Sequence, residues 1–210
     1  MADETQFMIG ADVTCSDGVC GEISRVVIDP FARIVTHLVV EPKHRQGLGR
    51  LVPLDLVDSS TGDVQVRCTT AEFEKLEHAE ETQFLPGTGG HVGYDAGQAL
   101  SQPYYGLADT IGEVPQAVTY DTVPLDEVAI RRGDQVHATD GTIGNVEGLV
   151  IDLRSHYVTH VLLQEGHFWG RKEVAIPIVA VIGVGDGIRL NISKQEVEDL
   201  PPVGVVRPDR

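Results

Sequence analysis

The chain has 210 residues, enough for one large domain or two small ones, and 41% of them are hydrophobic, which excludes global disorder. Sixteen Lys and Arg residues against 32 Asp and Glu residues leave a formal net charge of −16, which disfavours nonspecific nucleic-acid binding by the whole surface. The longest apolar run, residues 176–182, is far shorter than the ~20 residues of a membrane-spanning helix, and residues 1–6 are acidic where a secretory signal would be basic. We therefore expect a soluble cytoplasmic protein without membrane insertion.

An internal duplication organises the sequence. Residues 9–41 align without gaps on residues 132–164, and 11 of the 33 aligned positions are identical. After a one-residue gap the match continues as far as Leu76 and Leu200. The predicted organisation is an N-terminal tail at 1–8, repeat 1 at 9–77, a connector at 78–130, repeat 2 at 131–201 and a C-terminal tail at 202–210.

Each repeat has the pattern of short β-strands followed by a helix. Asp17-Gly18 and Asp140-Gly141 predict tight turns between the first two strands, and β-branched runs such as residues 34–40 predict further strands. The sequences Thr69-x-x-Glu72 and Ser193-x-x-Glu196 are capping boxes that predict the start of a short helix. We predict a mainly β protein with two small β-barrels in tandem, each closed by a short helix.

The connector differs from both repeats in charge and composition. Residues 78–130 contain no Lys or Arg and eight Asp or Glu residues, with many Gly, Pro and Gln residues. This composition predicts a long flexible linker between the two barrels. The alternative is that residues 104–107, which include two adjacent tyrosines, dock on a barrel or on a partner. Packing of the two barrels on each other stays open.

The duplicated motifs resemble those of the PRC-barrel domain family. They are Asp-Gly-x-x-Gly, a turn ending at Asp29 or Asp152, Val-Thr-His at 35–37 and 158–160, and a later strand with Pro53 or Pro177. The family takes its name from the cytoplasmic domain of the photosynthetic reaction-centre H subunit and includes the C-terminal domain of a ribosome maturation factor. The resemblance implies small β-barrels that act as binding or assembly modules. By analogy it also implies, as an alternative, an accessory role in photosynthetic electron transfer.

Each repeat contains a His-x6-His pair that could bind a metal ion or sense pH. The pairs are His37 with His44 and His160 with His167, and Asp29 or Asp152 could add an oxygen ligand. The alternative is a packed, hydrogen-bonded role, because period-two alternation places Val35, His37 and Val39 on one face of a strand. We favour this alternative and expect no metal or cofactor.

A basic loop follows the same strand in both repeats and is the candidate site for a protein partner. Trp and Arg dominate the energetics of protein interfaces, and this favours a protein over the two alternatives, a phosphate-bearing ligand and a plain solvated loop. Nucleic acid is disfavoured by the charge of −16. The predicted partner-binding residues are Lys43, His44, Arg45, Arg50, His167, Phe168, Trp169, Arg171 and Lys172.

The remaining residues with chemical potential predict no reaction. Cys15 and Cys20 flank a turn, so a disulfide across the hairpin or half a metal site is conceivable. The three cysteines, Cys15, Cys20 and Cys68, align with Ala138, Ile143 and Ile192, however, and this favours small apolar core residues. The sequence has no nucleophile elbow, phosphate-binding loop or zinc-protease motif. The expected function is therefore that of a non-catalytic scaffold or adaptor.

Overall fold

A computed structural model describes residues 4–43, 49–58, 64–85, 116–165, 173–185 and 187–201. The first half contains strands β1 (Glu4–Met8), β2 (Asp12–Cys15), β3 (Gly18–Asp29), β4 (Ile34–Glu41), β5 (Arg50–Pro53), β6 (Val57–Asp58) and β7 (Val64–Val66), with helix α1 (Thr70–Phe73). The second half contains β10 (Val128–Arg131), β11 (Gln135–Ala138), β12 (Gly141–Asp152), β13 (Tyr157–Glu165), β14 (Glu173–Pro177), β15 (Val181–Gly185) and β16 (Gly187–Leu190), with helix α2 (Lys194–Glu198). In chain order, β8 (Glu80–Leu85) and β9 (Gln116–Asp121) come after the first half and before the second.

The chain divides into two compact units. One contains both repeats, and the other comprises residues 80–121, in which β8 and β9 pair antiparallel. The predicted linker at 78–130 therefore contains strands at both of its ends, since β10 also begins within it at Val128 and joins the sheet of the repeats. The composition of the connector did not predict these strands, because the hydrogen bonds of a β-ladder join backbone groups and form whatever the charge of the side chains. Residues 86–115, including the tyrosine pair at 104–105, lie outside the described residues.

Each repeat is built around one long strand, β3 or β12. In repeat 1, β3 pairs antiparallel with β2 and β4, β4 pairs with β5, and β2 pairs in parallel with β7. Repeat 2 has the same order around β12. Gly21 in β3 sits so close to the carbonyl oxygen of Glu41 that a Cβ atom would lie 2.1 Å from it, which explains a glycine at this position.

The two repeats exchange their first strands. β1 precedes repeat 1 but pairs with β12 of repeat 2, and β10 precedes repeat 2 but pairs with β3 of repeat 1. The two exchanged strands have equivalent registers. Thr5 pairs with Ile151 and Val128 pairs with Ile28, and the offset between the repeats relates Thr5 to Val128 and Ile28 to Ile151. Phe7 in β1 and Ile130 in β10 are almost wholly buried, so each repeat supplies core side chains to the other.

The predicted pair of closed barrels is not confirmed. The strands of both repeats belong to one 14-stranded sheet that does not close, and one core cluster contains buried side chains from both repeats. The physical reason is the strand exchange. The second half of β3 pairs with β10 and the second half of β12 pairs with β1, so each repeat on its own would lack one of the strands beside its longest strand. The mainly β class and the two short helices agree with the prediction.

Candidate functional site

The duplicated Asp-Gly turn positions the helix at the end of each repeat. Asp17 accepts hydrogen bonds from the backbone nitrogen of Thr70 at 2.8 Å and from its hydroxyl at 3.0 Å. Asp140 accepts one from the backbone nitrogen of Lys194 at 2.9 Å. These carboxylates bind backbone N–H groups that the first turn of a helix leaves unpaired. The hydrogen bonds from Thr70 lower the pKa of Asp17.

The two predicted capping boxes are confirmed. The hydroxyls of Thr69 and Ser193 accept from the backbone nitrogens of Glu72 and Glu196, and each glutamate accepts in return from the cap residue's backbone nitrogen. These hydrogen bonds from the cap residues lower the pKa of both glutamates. The duplicated carboxylates at Asp17 and Asp140 and at Glu72 and Glu196 therefore form hydrogen bonds at the starts of α1 and α2.

The two described members of the predicted partner site already have contacts within the chain. Lys43 Nζ lies 2.7 Å from Asp12 Oδ2, and both side chains are about half exposed. Arg50 Nη1 donates to the carbonyl of Leu76 at 3.0 Å. The other predicted residues lie outside the described residues: His44, Arg45, His167, Phe168, Trp169, Arg171 and Lys172.

The strands that lead to the two basic loops run in opposite directions from one meeting point. Ile34, the first residue of β4, pairs antiparallel with Tyr157, the first residue of β13. β4 has eight residues and β13 has nine, so the loop ends of the strands lie at most about 50 Å apart at about 3.3 Å per residue. The described ends of the two strands, Glu41 and Glu165, therefore lie on opposite sides of the Ile34–Tyr157 pair.

His37 lies beside a carboxylate that the sequence analysis did not associate with it. Glu127, at the entry to β10, accepts a hydrogen bond from the Thr36 hydroxyl at 2.6 Å, and its Oε2 atom lies 3.8 Å from His37 Nδ1. That nitrogen is buried and finds no hydrogen-bond partner among the described residues. Because 90 positions separate Glu127 from His37, only the pairing of β10 with β3 brings them together.

A β-bulge corrects the predicted face of this strand. Val27 pairs with His37 but Ile28 pairs with Val35, so Thr36 is an extra residue on β4. His37 and Val39 therefore lie on one face while Val35 belongs to the main core on the other. Repeat 2 has the same bulge at Thr159, whose hydroxyl donates to the Val150 carbonyl at 3.2 Å.

The described histidines do not form a metal centre. In the part of the chain that the structure describes, no three His, Cys, Asp or Glu side chains are close enough together to hold an ion. His160 Nδ1 lies 3.1 Å from the Thr159 hydroxyl, and Asp29 accepts from the backbone nitrogens of Phe31 and Ala32. The pairing of each strand histidine with His44 or His167 stays a prediction, because both partners lie outside the described residues.

The cysteine prediction was correct about burial and wrong about bonding. Cys15, Cys20 and Cys68 are all buried, with at most 9% of each residue exposed. Cys15 and Cys20, however, form a disulfide across the β2–β3 hairpin, with Cα atoms 5.8 Å apart. The alignment with Ala138 and Ile143 indicated the volume of these sites, whereas the register of the hairpin decides which side chains meet.

Two buried charges were not found from the sequence. Arg25 is 6% exposed and its Nη2 atom lies 3.2 Å from Glu41 Oε1. Glu147 is 4% exposed and its Oε1 atom lies 3.6 Å from Arg132 Nη2. Gly148 occupies the position equivalent to Arg25, and Ser24 occupies the position equivalent to Glu147. Neither charge is duplicated, so comparison of the repeats did not indicate either residue.

Comparison with known protein families bears on repeat 2. Residues 132–197 match the PRC-barrel domain. The PRC-barrel match spans β11 to the last turn of α2, and it leaves out β10, the strand that repeat 2 exchanges with repeat 1. No curated protein matches the chain. None of the helices in the described ranges is long and apolar enough to cross a membrane.

Proposed function

We propose that the protein is a soluble, cytoplasmic, non-catalytic assembly module that binds a protein partner through the loops at 43–50 and 166–172. The PRC-barrel match of repeat 2 supports a binding module over an enzyme, because the family resemblance implies that role. The basic and aromatic composition of the loops supports a partner with an acidic surface.

One observation carries the proposal, namely that the two loops follow equivalent strands of the duplicated fold. These strands, β4 and β13, start at the Ile34–Tyr157 pair and run in opposite directions within one sheet. A partner that presents two copies of its binding surface could bind both loops of one chain. The second contact would then be intramolecular, and linked contacts of this kind raise affinity by about 10²–10⁴-fold without any new interaction.

The contacts of Lys43 and Arg50 within the chain reduce the number of residues that we expect to bind the partner. Arg50 holds the Leu76 carbonyl and Lys43 pairs with Asp12, so both side chains would have to give up a contact to bind a partner. We therefore assign the main contribution to His44 and Arg45 in the first loop and to Trp169 and Arg171 in the second.

Affinity capture of the tagged full-length protein from its source lysate, with nuclease treatment, tests the proposal. Trp169→Ala/Arg171→Ala should weaken capture of a stoichiometric protein partner about 10–100-fold, as should His44→Ala/Arg45→Ala, and the combination should abolish it. Arg189→Ala, which removes an exposed arginine outside both loops, is the matched control. Unchanged capture by the combined variant, with its fold intact by circular dichroism, would refute the proposal.

A further inference from the structure

All three cysteines lie at one end of repeat 1, around the start of helix α1. Cys15 and Cys20 bridge the β2–β3 hairpin. Cys68 lies beside that hairpin, because its carbonyl accepts hydrogen bonds from the backbone nitrogen of Ser16 at 2.9 Å and from the Ser16 hydroxyl at 3.1 Å. The turn between the bridged cysteines is exposed at Ser16–Val19, so the buried disulfide closes a loop that faces solvent.

The bridged hairpin supplies the contacts that fix the start of α1. Ser16 binds the Cys68 carbonyl, and Asp17 binds the backbone nitrogen and the hydroxyl of Thr70. Both residues lie inside the loop that the disulfide closes. A cross-link there limits the conformations that Ser16 and Asp17 can adopt, and so favours the arrangement in which they hold α1.

Repeat 2 demonstrates that this fold does not require sulfur at these positions. Ala138, Ile143 and Ile192 replace the three cysteines, yet Thr139 still bonds the Ile192 carbonyl and Asp140 still bonds the Lys194 nitrogen. The hairpin and the helix thus form with ordinary apolar residues. The cysteines of repeat 1 therefore add a property that the fold does not need for its formation.

We propose that Cys15 and Cys20 form a reversible redox site that exchanges with small-molecule disulfides and, when oxidised, tightens the attachment of α1 to repeat 1. In the reaction, one thiol loses its proton and attacks oxidised glutathione, which forms a mixed disulfide and releases one glutathione thiolate. The second cysteine thiolate then displaces the other glutathione. Two protein thiols are oxidised to one disulfide, oxidised glutathione is reduced to two glutathione molecules, and the two protons pass to the leaving thiolates.

Cys68 does not take part in this exchange. Burial raises the pKa of its thiol, and the carboxylates of Glu72 and Asp17 raise it further. The thiolate is the attacking species, so a raised pKa leaves Cys68 less reactive than an ordinary cysteine at neutral pH.

The test equilibrates the full-length protein with either reduced or oxidised glutathione and compares three readouts. Oxidised protein should retain one reactive thiol under denaturing conditions instead of three, and its intact mass should be lower by two hydrogen atoms. Hydrogen exchange of residues 15–20 and of α1 should be slower by about tenfold or more in the oxidised protein. Exchange of residues 138–143 and of α2, which have no cysteine, should be the same in both states.

Two variants that borrow residues from repeat 2 serve as controls. Cys15→Ala/Cys20→Ile should fold but show no response to glutathione, and Cys68→Ile should keep the full response. Three free thiols in excess oxidised glutathione, a stable glutathione adduct without an internal disulfide, or equal exchange of α1 in both states would each overturn the proposal. Loss of the response in Cys68→Ile would overturn it as well. None of these outcomes depends on the partner-binding loops.

Discussion

Ile34 and Tyr157 occupy equivalent positions in the two repeats and pair with each other. The hydrogen bonds around them are reciprocal, since Val35 donates to the carbonyl of His156 at 2.8 Å and Val158 donates to the carbonyl of Arg33 at 2.9 Å. Both carbonyls belong to residues with positive φ, 57° at Arg33 and 58° at His156. A pseudo-twofold axis therefore passes through this pair, and it relates β4 to β13 and the exchanged strand β1 to β10.

The strand exchange predicts that a substitution in β1 destabilises repeat 2. Phe7→Ala removes a fully buried ring and should lower the free energy of unfolding by about 3–5 kcal/mol. Because β1 pairs with β12, hydrogen exchange should accelerate first at Leu149–Ile151. Phe31→Ala, at a ring that is 88% exposed, should change stability by less than about 0.5 kcal/mol. Faster exchange confined to repeat 1 would contradict the observed pairing.

The close approach of β1 to β12 should make Gly148 irreplaceable. A Cβ atom at this position would lie 2.3 Å from the carbonyl oxygen of Phe7, so Gly148→Ala must push β1 away from β12. We expect a loss of more than about 2 kcal/mol in chemical denaturation. Gly185→Ala is the control, because a Cβ atom there meets nothing within 4 Å. Equal stability of the two variants would mean that β1 does not approach β12 this closely.

The capping glutamates should contribute to acid unfolding. Folding lowers the pKa of Glu72 and Glu196 below the ordinary value of 4.5, so their stabilising contribution is complete above that value and is lost as the pH falls through the folded pKa. Glu72→Gln/Glu196→Gln keeps an acceptor oxygen but does not titrate. The variant should therefore lose less stability than the wild type between about pH 6 and about pH 3, measured by urea unfolding.

The control for this pH dependence is Glu74→Gln, which changes an exposed glutamate that is not part of a capping box. It removes one charge at α1, as Glu72→Gln alone does, so the two single variants are compared, and Glu74→Gln should leave the slope of stability against pH as in the wild type. A flattened slope in Glu74→Gln would point to the overall charge of −16 instead of the caps.

Glu127 should anchor the entry to β10. Glu127→Ala removes the acceptor of the 2.6 Å hydrogen bond from Thr36 and should cost about 1–2 kcal/mol, whereas Glu127→Gln keeps an acceptor oxygen and should cost less. Hydrogen exchange at Val128–Ile130 would report the loosened strand. The equivalent change in β1, the strand that pairs with repeat 2, is Glu4→Ala; it affects an exposed side chain and should cost less than about 0.5 kcal/mol. Equal effects of the two alanine variants would argue against an anchoring role for Glu127.

Several features of the fold were predictable because short-range patterns determine them. The capping boxes at Thr69 and Ser193 and the Asp-Gly turns depend on residues within four positions of each other, so their geometry follows from local backbone sterics and hydrogen bonding. The duplication also indicated correctly that the cysteine sites are apolar and buried, since Ala138 and Ile143 occupy two of the equivalent sites.

Other predictions were wrong where the strand register, to within one residue, decides which side chains lie together. The bulge at Thr36 shifts Val35 to the opposite face from His37, although strict alternation places them together. In a different hairpin, that of β2 and β3, the strand register brings Cys15 and Cys20 within bonding distance. A bulge has no reliable composition signal, because it is set by which backbone groups of the neighbouring strand are in reach.

The sequence by itself determined that the protein is mainly β, that it is duplicated, and that a capped helix ends each repeat. Only the tertiary structure decided that β1 and β10 are exchanged, that Glu127 meets His37, and that β4 and β13 run away from one axis. Local patterns specify a strand through the alternation of its side chains. The partner of a strand is chosen by long-range burial. For β1 the competing partners, β3 and β12, are equivalent strands of two repeats with the same strand order, and only the three-dimensional packing distinguishes them.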